Sequence, residues 1–292
     1  MAFRQRLAQR KCLLLDGGMG TQLIQAGLTP GGAVNTTRPD VVEAVHRAYV
    51  QSGAAVVLTN TLTLNRVSWG LHEPDVPREA ANREAVAAAR RAVSGTGWVL
   101  GDVGPTGKLL EPFGELDRST AYKAFFEQAK LLDDAGVDGI IIETMYDLAE
   151  AECALEACAA AVDLPVVVCL AFTTSENGGR TVMGNSAADL ASVAERHGSA
   201  CVGANCGALS PVEMAEVVRT LRHCTQLPII AQPNAGKPKT RGGETYYDMD
   251  PEAFAEGITA CLQAGAQLVG GCCGTTPDHI RAAAGALRAF ES

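Results

Sequence analysis

An alternation running the length of the chain is the feature that most limits its fold. Eight short apolar runs, rich in Val, Ile and Leu, lie at 12–16, 54–60, 98–103, 139–143, 165–171, 200–206, 228–233 and 266–272. Eight longer stretches with apolar residues at helical spacing follow them, roughly at 39–52, 77–93, 119–135, 147–161, 186–197, 211–223, 250–263 and 277–289. Continuous apolar strands separated by helices are parallel strands buried on both faces. Eight such units predict an α/β fold whose sheet closes on itself, a (β/α)8 TIM barrel, as a single domain over residues 1–292. An open doubly wound sheet is the alternative. The chain length suits a barrel, which takes about 250 residues.

Local signals agree with the alternation. Ser119 and Thr120 precede Ala121, Ser210 precedes Pro211, and Asp250 precedes Pro251, each a helix start. Gly53, Gly136, Gly198 and Gly265 close helices just ahead of the next strand. The segments after strands 1, 3, 5 and 7 are long (17–38, 104–118, 172–185, 234–249), whereas the returns from helix to strand are short. The elaborated face is then the C-terminal one, where barrels carry their chemistry.

The net charge of −9 and the absence of a dense basic cluster predict no nucleic-acid partner. No apolar run approaches the ~18 residues of a membrane span. The run after the basic N-terminus is too short for the core of a signal peptide. The expectation is a cytoplasmic chain with no membrane partner, its ten cysteines reduced.

In a barrel the strand ends converge on one mouth. Here they carry Asp16, Asn60, Thr61, Asp102, Glu143, Asn205, Cys206, Asn234, Cys272 and Cys273. The run Gly270-Gly271-Cys272-Cys273-Gly274-Thr275-Thr276 holds two adjacent cysteines, which rarely bridge each other. Both can reach one soft metal ion if the backbone turns between them, and the flanking glycines allow that. Cys206 is expected as the third thiolate. Strand alternation puts it inside the barrel with Val202 and Ala204, and puts Cys201 toward the helices. Three thiolates on one Zn²⁺ leave a fourth position open, the pattern of a catalytic site. Three buried free thiols are the plainer alternative; the paired cysteines between glycines favour the metal. The other seven cysteines sit inside helices or strands without metal spacing. The five histidines fall in helices or outer loops and are expected at the surface, so a His-ligated hydrolytic zinc is not expected. No lysine ends a strand, which disfavours a Schiff base.

Three thiolates leave a zinc site at −1. Such a site activates water poorly but suits a substrate thiol, lowering its pKa while the sulfur stays electron-rich. That points to attack by a substrate thiolate on an electrophilic carbon. Asp16 and Glu143 can bind an ammonium group, or form a general acid–base pair. Asp16 can instead cap the Gly17-Gly18-Met19-Gly20 turn. The turn lacks the full dinucleotide fingerprint, but its backbone N–H groups, those of Gly17 and Gly18 included, can hold a carboxylate. A thiol, an ammonium and a carboxylate together describe a thiol amino acid.

These residues resemble the homocysteine S-methyltransferase family. The matching stretches are Leu15–Thr21, Thr59-Asn60-Thr61, Gly101–Gly107, Ile142-Glu143-Thr144, Gly203–Cys206, Gln232–Gly236 and Gly270–Pro277. The resemblance implies a zinc-dependent (β/α)8 barrel that methylates homocysteine to methionine. It implies zinc on Cys206, Cys272 and Cys273, and Asp16 and Glu143 on the amino group of homocysteine. Asn234 would lie near the metal, in its fourth position before substrate arrives. Thr61, Gly17 and Gly18 join the expected substrate-binding set. Within the family, the Gly-Pro-Thr-Gly, Pro-Asn-Ala-Gly-Lys-Pro and double-cysteine runs look most like the homocysteine-binding module of cobalamin-dependent methionine synthase. The expected donor is therefore a methylcorrinoid such as methylcobalamin, on a corrinoid protein or on other methionine synthase modules. S-methylmethionine or S-adenosylmethionine is the alternative donor, and a zinc-bearing module that binds the thiol amino acid without turnover is a third reading. The only tryptophans are Trp69 and Trp98, with Trp98 expected to be buried in strand 3; no aromatic cage for a betaine-like cation is apparent.

Overall fold

The structure is a computed structural model that describes residues 1–72 and 75–292, with His72 described in its backbone only. Its centre is a ring of eight parallel strands. They are β1 (Leu13–Leu14), β2 (Val56–Leu58), β3 (Trp98–Val103), β4 (Gly139–Met145), β5 (Val166–Leu170), β6 (Cys201–Asn205), β7 (Ile229–Gln232) and β8 (Leu268–Val269). Neighbours in sequence are neighbours in the sheet, and β8 returns to pair with β1. A parallel bridge between Leu15 and Val56 joins β1 to β2. The amides of Asp16 and Ala55 make its bonds, to Val56 O (3.0 Å) and Leu14 O (2.8 Å). A doubly wound sheet would leave two open edges and reverse its strand order; neither occurs here, so the barrel expectation holds.

Twelve α-helices occur among the described residues. They are α1 (Phe3–Ala8), α2 (Met19–Gln25), α3 (Val34–Thr37), α4 (Pro39–Gln51), α5 (Arg66–His72), α6 (Arg78–Val93), α7 (Arg118–Ala135), α8 (Leu148–Ala161), α9 (Ala187–Arg196), α10 (Pro211–Cys224), α11 (Pro251–Ala264) and α12 (Pro277–Glu291). None is long and apolar enough to cross a membrane. The helix starts at Ser210 and Asp250 are as expected, Ser210 with Glu213 in a reciprocal capping box. The start of α7 differs. Its cap is Asp117, whose carboxylate accepts the Thr120 N–H at 2.9 Å. A carboxylate is the stronger acceptor near the positive end of a helix and displaces the hydroxyls at 119 and 120 from that role.

Two apolar shells hold the barrel. The outer shell lies between sheet and helices and includes Val57, Val99, Ile142, Val168 and Val202. The inner shell fills the barrel with Leu15, Leu58, Leu100, Ile141, Val167 and Ile230. Cys201 belongs to this inner shell, whereas Val202 and Ala204 face the helices, which reverses the expected facing of β6. Cys206 nevertheless reaches the mouth, because it lies beyond the strand with φ +52, a left-handed conformation in which the alternation no longer applies. The bottom of the barrel is plugged by α1, whose Phe3 and Leu7 are buried in the inner shell. Trp98 packs on Phe3 at a centroid distance of 6.2 Å and donates its indole N–H to Met1 O (3.1 Å). It sits at the lower rim, half-buried rather than enclosed.

The C-terminal face carries the long segments. Hairpins follow β5 (Phe172–Thr174 with Arg180–Thr181) and β7 (Lys239–Arg241 with Glu244–Tyr246). The segment after β1 holds α2 and α3, and the one after β2 holds α5.

Candidate metal centre and substrate cavity

The double-cysteine turn is fixed from both sides. On the β7 side, the Cys272 amide donates to Pro233 O (2.9 Å), and Cys273 O accepts from Ala235 N (2.9 Å). On the β1 side, Gly271 N donates to Asp16 O (2.9 Å). Thr275, fully buried, links the two sides: its Oγ1 donates to Cys272 O (2.7 Å) and accepts from Gly18 N (2.9 Å). The approach is too close for a side chain. A Cβ on Gly18 would lie 2.5 Å from Cys272 O, and Gly274 holds φ +79 beneath the Tyr247 ring.

This scaffold brings Cys206, Cys272 and Cys273 together, with their sulfurs all within 4.8 Å of one another. Cys206 Sγ and Cys273 Sγ are 3.9 Å apart. Two thiolates on one tetrahedral zinc with bonds of ~2.3 Å would stand about 3.8 Å apart, so the three residues fit such an ion. Hydrogen bonds from Cys206 and Cys272 pull the Cys273 thiol far below its usual range, while bonds with Cys206 and Cys273, together with burial, raise Cys272. A cluster of thiols that concentrates charge on one sulfur is a donor set suited to a soft cation.

Beside the thiols lies a cavity of about 320 Å³, lined in part by Asp16, Gly18, Asn60, Asp102, Glu143 and Gln232. It carries three buried carboxyl groups. Each has a fully buried oxygen without a partner: Asp16 Oδ1, Asp102 Oδ1 and Glu143 Oε2. Burial, with the charges of Asp16 and Cys273, pushes Glu143 up to about 8. Burial raises Asp102 and Asp16 as well, and for Asp16 contacts from His46 and the Leu58 amide oppose the rise. Unpaired buried carboxyls crowded at one cavity suit a bound cation, whose charge would let them ionise.

Several expected residues are placed differently. Asp16 does not cap the glycine turn; its Oδ2 accepts the Leu58 N–H at 3.0 Å. Gly17 and Gly18 line the cavity, but the Gly18 N–H is taken by Thr275. Thr61 lies behind the cavity wall, fully buried, and donates to Asp102 O at 2.6 Å. Asn234 is also fully buried; its Nδ2 donates to Gly207 O (2.9 Å), and its Oδ1 has no partner. Neither Thr61 nor Asn234 is among the cavity-lining residues. The expectation that histidines lie at the surface fails for two. His46 is fully enclosed, and His279 is buried in the capping box that opens α12. Both face inward from amphipathic helices, and a ring nitrogen gives no signal of facing in a helical pattern. The side chain of His72 lies outside the described residues.

Other contributors had weaker sequence signals. Asp102, the penultimate residue of β3, and Gln232, the last of β7, line the cavity, though nothing in their local sequence marks them as part of a site. Tyr49 on α4 donates its hydroxyl toward Gly18 O (3.1 Å) and Thr275 O (3.0 Å), so it holds two site loops at once. It reads in sequence only as a core aromatic.

Residues 13–287 match the family model described as homocysteine S-methyltransferase. Among curated proteins, the chain is 35% identical to methionine synthase of Mycobacterium leprae and 34% identical to that of Mycobacterium tuberculosis, over 97% and 96% of its length. It spans 25% of the length of each of these relatives. Among solved structures, the metallated homocysteine methyltransferase MmuM of Escherichia coli superposes with a TM-score of 0.80 at 24% identity, covering 97% of this chain and 98% of that one. A methyltransferase from Methanosarcina mazei superposes with a TM-score of 0.62 at 13% identity, covering 99% and 98%. At these identities the two superpositions show the shared fold.

Proposed function

The chain belongs to the homocysteine S-methyltransferase family, and from that premise we propose that it transfers a methyl group to the thiol of homocysteine, giving methionine, with zinc on Cys206, Cys272 and Cys273. The observation that carries this reading is the adjacency of three convergent thiols and three buried carboxyls, each with an unpartnered oxygen, around one cavity.

When bound, the metal supplies a coordination position that takes the substrate sulfur and lowers its pKa, so that the sulfur is presented as a thiolate. The protein's own part is binding and orientation. Asp16 and Glu143 hold the ammonium group, and Asp102 adds negative charge at the same end. Gly17, which lines the cavity, faces the substrate carboxylate. Thr61 acts through Asp102, whose backbone it pins to the end of β2. Asn234, whose buried Oδ1 has no partner, would be the side chain to complete the metal's ligand set before substrate binds. In the reaction a carbon–sulfur bond forms as the donor–methyl bond breaks, and the thiol proton leaves to solvent. Holding thiol and ammonium at two fixed points orients the nucleophile toward the mouth, where the donor arrives.

The donor we propose is a methylcorrinoid presented by a separate protein or module. Similarity to methionine synthases of which this chain spans a quarter supports it. The test is a panel in which the zinc-loaded protein and homocysteine are offered methylcobalamin, S-methylmethionine and S-adenosylmethionine in parallel. Methionine formed from methylcobalamin alone is expected. Turnover with a sulfonium donor would refute the corrinoid choice. Homocysteine binding without turnover from any donor would leave a binding module.

A further inference from the structure

The helix α4 lies outside the barrel, yet two of its residues, one turn apart, reach the site. Tyr49 holds the loops, as described. His46 is fully enclosed, and neither ring nitrogen has a hydrogen-bond partner. Its Nδ1 is 3.8 Å from Asp16 Oδ2. That separation is too long for a full hydrogen bond, which needs about 2.7–3.2 Å, and Asp16 Oδ2 is the acceptor it approaches. Buried polar groups are almost always paired, because an orphan costs about 1–3 kcal/mol. A fully enclosed imidazole beside a carboxylate therefore has one evident use.

We propose that His46 is the positioning residue for Asp16: it donates from Nδ1 to Oδ2 and holds the carboxylate in place, with Oδ1 turned to the ammonium of the thiol amino acid. The Leu58 amide already fixes Oδ2 from the barrel side at 3.0 Å. His46 supplies the second donor to that oxygen from the helix side, which leaves Oδ1 free for the ligand. The same helix then sets both the recognition carboxylate, through His46, and the loop beside it, through Tyr49. This inference rests on the reading of Asp16 as an ammonium-binding group.

The test compares two ligands on the zinc-loaded protein by calorimetry: homocysteine, and 4-mercaptobutyrate, which lacks only the amino group. His46→Leu should weaken homocysteine about tenfold or more, as loss of a hydrogen bond to a charged group implies. It should change 4-mercaptobutyrate by less than about twofold. His46→Asn, whose amide can donate from the Nδ1 position, should restore most of the affinity; His46→Gln should not. In an Asp16→Asn background, His46→Leu should add no further loss. Equal weakening of both ligands by His46→Leu, or an undiminished effect without the Asp16 carboxylate, would overturn the proposal. Should the Leu variant fail to fold, the Asn and Gln variants carry the same comparison. If Asp16→Asn alone leaves homocysteine binding unchanged, the ammonium reading of Asp16 falls, and this inference with it. If Asp16→Asn weakens binding and the His46 variants do not, the inference alone fails.

Discussion

Cys206 and Cys273 stand 67 residues apart in the chain, and their sulfurs lie 3.9 Å apart. The strands β6 and β8 are not neighbours, because β7 runs between them. The contact exists because both chains leave their strands early. Cys206 turns through a left-handed conformation, and the Cys272–Gly274 turn folds over the end of β7. A metal bound there would tie the end of β6 to the end of β8 across β7.

Zinc should bind at one ion per chain and be lost from Cys206→Ala, Cys272→Ala and Cys273→Ala proteins. Cys201→Ala should keep it, since Cys201 lies in the inner shell rather than at the mouth. Chelation should lower the melting temperature, because an ion that binds only the folded state stabilises it. The effect is about 4 kcal/mol at a thousandfold excess over the dissociation constant. Metal analysis and thermal unfolding with and without chelator check these outcomes.

Glu143→Gln should raise the KM for homocysteine about tenfold to a hundredfold, the cost of a lost hydrogen bond between charged groups. It should also change the pH dependence of stability in the metal-free protein. The folded pKa of Glu143, about 8, lies above its ordinary value of 4.5. The unfolded chain then releases this proton first, so its contribution is fully present below 4.5 and fades as the pH rises toward 8. The wild type should lose stability across that window relative to Glu143→Gln. Denaturant titrations at several pH values measure it.

Thr275→Val keeps the shape of a fully buried residue but removes the bond to Cys272 O and the acceptor for Gly18 N. The Gly18 amide loses its partner, at about 1–3 kcal/mol if no water replaces it, while Cys272 O keeps only the Thr275 amide at 3.2 Å. Stability should fall by that order, and zinc should bind more weakly, since the turn that presents Cys272 and Cys273 loosens. Competition with a chromogenic chelator reads the affinity.

Phe3→Ala should cost stability without touching the site. Phe3 is buried at the bottom of the barrel, opposite the mouth. Removing a core phenylalanine costs about 3–5 kcal/mol. The KM for homocysteine and the zinc content of the folded fraction should stay at wild-type values.

The barrel was legible because its cause is periodic: apolar runs and helical stretches alternate eight times, and each return from helix to strand is short. The three cysteines were legible because soft ligands at strand ends converge in a barrel. What escaped notice depends on where a strand stops. The facing of Cys201, Val202 and Ala204 is the reverse of the expected one, because the alternation was anchored on Cys206, one residue past Asn205, the end of β6. His46 and Tyr49 escaped because a helix pattern tells which face is buried, not which strand end that face covers. Thr61 and Asn234 stand at strand ends, as read, but the structure sets them behind the cavity wall. There backbone hydrogen bonds, which sequence does not display, take up their side chains.

The central claim is that the three thiols hold one metal and leave it a place for the substrate sulfur. Zinc X-ray absorption on the loaded protein tests it directly. Three sulfur neighbours at about 2.3 Å are expected without homocysteine and four with it. A protein that binds no zinc, or a sulfur count that does not rise when homocysteine binds, would contradict the claim.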